Sequence, residues 1–240
     1  MYKARQDLRR FVEVQLDRRQ VCDGIIARLA DDMDIPAMVC LNVNTIRSLG
    51  KDGLFMPQAE TFFRDIIADG VAIVLEREGR VLGYSVAVPE GRRHPAFLVV
   101  RFRHRVGLLF GTALDPEVRR NGWQTWLIDV RLRAFMNCGY SEVQATVAPF
   151  NLPSLINLVD NSFHIAGLNT PFGGHLRFIV CHDLKYREQN TMHQSPVVDL
   201  ELSGCLSRHQ ELLADGYRGI KVLRGATVTI RYAKFDHLET

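Results

Sequence analysis

The sequence predicts an α/β protein of the α+β type: a mixed sheet with helices on its faces, followed by a C-terminal extension. Three observations predict it. Two β-rich runs, 71–75 and 81–88, flank "EREGR", a hairpin turn. Strand-like and helix-like segments alternate from residue 106 onward, which implies a layered sheet. Apolar residues recur at helical spacing in the segments between and before them.

Each element follows from its own pattern. Residues 1–20 set Leu8, Phe11, Val12 and Leu16 at helical spacing among arginines, so one amphipathic helix is expected, docked on its own domain. Ile25 to Leu29 reads as a short strand. Asp34 is expected to cap the next helix, with Pro36 in its first turn and Gly50 to Gly53 as its stop. A second helix is expected over 59–68, then the two hairpin strands, then a loop at "VPEGRRHP". The next strand covers Val106 to Leu114 and ends at Asp115-Pro116. After Gly122 a helix sets Trp123, Trp126, Leu127, Val130, Ala134 and Cys138 on one stripe, and Gly139 stops it. Val143 to Val147 is a strand and Pro153 to Asn161 a short helix. Gly173-Gly174 turns a last hairpin that ends near Leu184.

The polar stretch 188–197 reads as a linker to a strand, a helix and two more strands, so three regions are expected: 1–20, 21–186 and 187–240. The last region completes the sheet, forms a lid or mediates a homodimer; the sequence leaves these open.

Composition narrows the class. The chain has 240 residues, 47% of them hydrophobic, and a net charge of +3. That suits one well-buried core and gives no case for a nucleic-acid partner. Basic residues cluster at Arg92, Arg93, His94, Arg101, Arg103, His104 and Arg105, a solvated loop or a surface for an acidic partner. Five scattered cysteines (Cys22, Cys40, Cys138, Cys181, Cys205) form no Cys-x-x-Cys pair, and no His-x-x-x-His spacing occurs. No metal site is therefore expected, and the thiols are expected to be reduced in a cytoplasmic protein. No apolar run is long enough to span a bilayer, so no membrane partner is expected.

The stretch "VRRNGWQTWL" carries the chemistry. Asn121-Gly122 would suit a hairpin, but a helix follows. A strand, a glycine turn and a helix N-terminus form an anion site, because first-turn N–H groups and the helix dipole both favour negative charge. Arg119 and Arg120 add formal charge.

Together, "LDPEVRRNGWQTWL" and "TVAPFNLPSLINLVDNSF" resemble the GNAT superfamily of N-acetyltransferases over residues 22–185. The resemblance implies a mostly antiparallel sheet, and acetyl-CoA inserted where the strand before the turn splays from its neighbour. Pro116, Arg119 and Gly122 hold family positions of the turn. It implies that backbone N–H groups of Arg120, Asn121, Gly122, Trp123, Gln124 and Thr125 hold the pyrophosphate. Ala113 and Leu114 would pair with the pantetheine arm, with an N–H near Leu114 as oxyanion donor. Asn151 and Ser154 match positions that contact the cofactor arm.

Three positions depart from the family. Gln124 replaces a small residue, Leu158 stands where many relatives have the tyrosine that protonates the leaving thiolate, and Ser162 replaces the glycine before Phe163. Catalytic residues are not assigned by the sequence. Asp115, His104, Ser154 and Asn157 are candidates, each with a plainer role as a cap or an exposed polar group. Trp123 and Trp126 read as core, and Cys138 does not read as a nucleophile. The expected reaction is acetyl transfer from acetyl-CoA to an amine acceptor. Transfer of a longer acyl chain and a non-catalytic acyl-CoA-binding module are the alternatives.

Overall fold

The computed structural model describes residues 2–16, 24–91, 95–97, 105–184 and 196–234. Cys22, Arg92, Arg93, His94, Arg101, Arg103, His104 and most of the expected linker lie outside the described residues. The chain divides into two units. The first holds the described residues up to 96 and from 105 to 143; the second holds Phe97 and the described residues from 144 onward.

The first unit contains α1 (Tyr2–Leu16), β1 (Ile26–Leu29), α2 (Ile35–Leu49), α3 (Glu60–Asp69), β2 (Val71–Arg77), β3 (Arg80–Pro89), β4 (Val106–Leu114) and α4 (Trp123–Asn137). Its strands lie in the order β1-β2-β3-β4, every neighbouring pair antiparallel. The turn between β2 and β3 holds Glu78 and Gly79 at φ of 52° and 79°, the twist a two-residue hairpin needs.

Alternation of side chains along β3 sorts the helices onto two faces. Tyr84 meets Asn42 of α2 and Phe63 of α3. Ser85, the next residue, faces Thr112 and the side on which α4 lies. α1 packs on α4, with Leu8 and Val12 fully buried, so its apolar stripe is used within its own unit.

Asp34 does not cap α2. It sits at helical φ and ψ without a side-chain cap bond. Asp31 is the cap, of a single 3-10 turn that precedes α2, and the Asp34 carboxylate bonds back to the Asp31 N–H at 2.9 Å. Asp34 also takes Arg28 at 2.7 Å, while Arg28 reaches Glu76 at 2.6 Å. Burial alone would raise the Asp34 carboxyl, but Arg28 and the Asp31 N–H outweigh it and hold the group below its ordinary value.

The chain enters the second unit along β5 (Glu142–Val147) and continues through α5 (Leu152–Asp160), β6 (His164–Phe172), β7 (His175–Asp183), β8 (Val198–Glu201), α6 (Leu206–Ala214), β9 (Tyr217–Arg224) and β10 (Val228–Lys234). Its strand order is β5-β7-β6-β9-β10-β8. Gln144 on β5 accepts the Phe97 N–H at 2.8 Å. β9 meets β6 antiparallel at Ile165 and Gly219, β10 pairs with β9 and with β8, and α6 lies against β6 and β9.

Candidate functional site

β4 is irregular where it matters. Ser85 faces Thr112 and Ala87 faces Leu109, so Val86 stands opposite two residues, Phe110 and Gly111. This β-bulge re-aims the C-terminal end of the strand. Past it, the Asp115 N–H donates to Leu82 O at 2.8 Å. By antiparallel alternation Ala113 then exchanges bonds with Tyr84, while the backbone edges of Thr112 and Leu114 point away from β3.

The turn after β4 is built from short-range bonds. The Asp115 side chain accepts the Glu117 N–H at 3.1 Å and pairs with Arg80 at 3.0 Å, which makes it a cap. Pro116 to Val118 form one 3-10 turn. Arg119 folds back: its Nε donates to Leu114 O at 2.9 Å, and its guanidinium reaches Ser48 Oγ at 3.4 Å. Arg120 and Gly122 both take left-handed backbone, φ 66° and 75°, and α4 begins with the Trp126 N–H donating to Gly122 O at 3.0 Å. Left-handed φ at a side chain such as arginine costs on the order of 1–2 kcal/mol.

The entrance to α4 suits an anion. Gly122 carries no side-chain cap, and the first turn holds no acid. A Cβ placed on Gly122 would meet nothing within 4 Å among the described residues, so the space before the helix is open. Arg120, Asn121 and Thr125 are exposed, Gln124 is half-buried and Trp123 is buried. A helix of 15 residues carries about half a positive charge at this end. This donor set fits a pyrophosphate.

Trp123 and Trp126 stack edge to face with ring centres 5.6 Å apart; Trp123 is buried as expected, whereas Trp126 is only half-buried. Cys138 closes the far end of α4, and burial pushes its thiol up to about 11, so it is protonated at neutral pH. Arg105 donates to the Cys138 carbonyl at 2.5 Å and lies over the Tyr140 ring at 4.2 Å.

Arg131 is the residue that the sequence reading missed. The residue is 2% exposed, and its guanidinium binds Leu127 O, Val86 O and Thr112 Oγ1. Burial pulls it down to about 9, which still leaves it charged at neutral pH. The signal was present: Trp123, Leu127, Arg131 and Phe135 form one four-residue row on α4, and the arginine interrupts it.

In the second unit Asn151 caps α5, its Oδ1 accepting the Ser154 N–H at 3.4 Å. Leu158 is buried, as an apolar core residue. Ser162 holds φ 65°, which explains why relatives place glycine there. Phe163 is buried against the His182 ring.

Residues 45–158 match the model of the Acetyltransferase (GNAT) family. The match places a GNAT-family acetyltransferase domain at residues 45–158, just under half of the chain. Solved structures share the fold. The Ard1 protein of Thermoplasma volcanium superposes with a TM-score of 0.52 at 15% identity, covering 67% of this chain and 97% of that one. The ribosomal-protein-S18-alanine N-acetyltransferase of Escherichia coli gives 0.50 at 16% identity, over 69% and 97%. The yncA protein of Salmonella typhimurium, solved with its cofactor acetyl-CoA, gives 0.50 at 16% identity, over 72% and 98%. No curated protein matches the chain by sequence. Among the described residues no group of three or more His, Cys, Asp or Glu is placed to hold a metal ion, and no helix is long and apolar enough to cross a membrane.

Proposed function

We propose that the protein transfers an acetyl group from acetyl-CoA to an amine. The observation that carries this is the turn from Arg119 to Gly122. Two left-handed residues, one of them an arginine, open into an uncapped, acid-free helix N-terminus inside the matched acetyltransferase segment. Strained backbone at such a point is explained by a ligand that uses the N–H groups it aims.

On this reading Arg120 to Thr125 hold the pyrophosphate, and the outward edge at Leu114 takes the pantetheine arm. Ala113, by contrast, spends its backbone on β3, so its part is to keep Leu114 in register. When bound, acetyl-CoA supplies the acetyl group as a thioester open to a neutral amine, and alignment of the two reactants supplies much of the rate.

Buried Leu158 offers no proton, so protonation of the thiolate falls to water or to another hydroxyl. That same residue favours a second reading, an acyl-CoA-binding module without turnover.

Calorimetric titration with CoA and acetyl-CoA, alongside Gly122→Asp, tests the assignment. Aspartate tolerates left-handed backbone better than most residues, so the variant folds. It sets a negative charge in the phosphate space and weakens binding at least about tenfold, or about 1.4 kcal/mol. A folded wild type that binds neither ligand, or a variant with unchanged affinity, overturns the assignment. Binding without transfer to any of a panel of primary amines supports the second reading.

A further inference from the structure

Arg131 has no ion-pair partner among the described residues; its three partners are all neutral oxygens. Burying a charge in that way is unfavourable, and a leucine or methionine would fill the same row of α4 without the penalty. The three bonds have a pattern. Nε donates to Leu127 O at 2.8 Å, which fixes the side chain along its own helix. One terminal nitrogen donates to Val86 O at 3.1 Å, at the residue that faces the bulge. The other reaches Thr112 Oγ1 at 3.4 Å, and Thr112 Oγ1 lies 2.7 Å from Ser85 Oγ. One guanidinium thus ties α4, β3 and β4 together at the bulge.

We propose that Arg131 is a positioning residue for acyl transfer. It clamps the β4 bulge and holds a buried positive charge behind the strand edge that runs from Thr112 to Leu114. This rests on the reading above that this edge carries the acyl-pantetheine arm. The clamp sets the direction of the Thr112 and Leu114 N–H groups, and the charge favours the negative charge that grows on the acyl oxygen. No neutral residue supplies both. Thr112 is the link between the charge and the strand.

Infrared difference spectra of acetyl-CoA labelled with carbon-13 at the thioester carbonyl test this, with calorimetry on the same samples. In the wild type the bound carbonyl band moves below its position in water. Arg131→Met binds acetyl-CoA within about twofold of the wild type but loses the movement, and Arg131→Lys keeps part of it. Thr112→Val removes only the hydroxyl, keeps the branched shape of the side chain, and loses part of the movement. It decides the question if thermal melts show that Arg131→Met does not fold.

A folded Arg131→Met with the full band movement overturns the inference. So does a loss of affinity that tracks the loss of movement, since that marks a merely structural role. A wild type that binds no acetyl-CoA removes the proposed function and this inference with it. A wild type that binds with an unmoved band removes this inference alone.

Discussion

Among the described residues, Glu78, Arg120 and Ser162 hold positive φ without being glycine. They differ in what they receive in return. Glu78 gains a hairpin turn, and Arg120 faces the entrance of α4. Ser162 merely joins α5 to β6, where its N–H donates to Val159 O at 3.0 Å and the next residue, Phe163, is buried. Ser162→Gly is therefore expected to stabilise the fold by about 1 kcal/mol, since glycine adopts this backbone freely. A thermal melt should rise by about 2–4 °C. A melt that falls would mean that the serine hydroxyl contributes more than its backbone loses. Ser162 also shows what a sequence reading can see at this scale. The position departs from the family pattern, and the left-handed φ of Ser162 gives the reason for the family's glycine. Arg131 and Asp34 show the converse. Arg131 is flanked by Val130 and Leu132, and only its place in the Trp123–Leu127–Phe135 row gives it away. The sequence singles out Asp34 as the cap, and it does not show that Arg28, brought in by strand pairing, claims that carboxylate.

At the scale of elements, period-2 and period-3.6 patterns located nearly every strand and helix, because each buries one face against a sheet or a helix. α4 is the exception in shape. It packs against β4 and also carries α1, so Ile128, Leu132 and Phe135 are buried beside the expected stripe. A helix covered on two sides does not show a single narrow stripe. Pairing between distant strands was not legible at all. Nothing in the sequence of β9 says that it meets β6. The structure shows that it does, with Gly219 opposite Ile165. A Cβ there would lie 2.9 Å from Ile165 Cδ1 and 3.0 Å from Ile165 Cβ. The second contact is close to the backbone and cannot swing away. Gly219→Val is expected to destabilise the protein by about 1–3 kcal/mol, as overpacked sites do. Urea denaturation followed by tryptophan-independent circular dichroism would register it. An unchanged midpoint would mean that β6 and β9 part without loss.

At the scale of the whole molecule, the two units carry different titratable groups, and acid should tell them apart. All the described histidines lie in the second unit. Burial, with Arg218 and His182 nearby, pulls His164 down to about 4. Burial also lowers His209, although its bond to the Glu201 carbonyl opposes the shift. The neutral His209 ring uses both nitrogens, accepting from Tyr232 at 2.8 Å and donating to Glu201 O at 3.2 Å. An unfolded histidine titrates near 6.5. Below that pH the unfolded chain binds more protons than the folded one, so stability falls as pH falls. For His164 the loss begins near pH 6.5 and continues toward pH 4, by up to about 1.4 kcal/mol per pH unit, and His209 acts in the same direction. The first unit behaves differently. Its lowered carboxyl is Asp34, whose contribution is present above about pH 3.9 and is lost only as pH falls through the lower folded value. Amide exchange at pH 7 and pH 5 should therefore show β6, β9 and β10 losing protection while β2 and β3 keep theirs. Parallel loss in both units would show that they unfold as one cooperative body, with the histidines felt throughout. Loss in the first unit alone would place the acid-sensitive groups elsewhere than at His164 and His209.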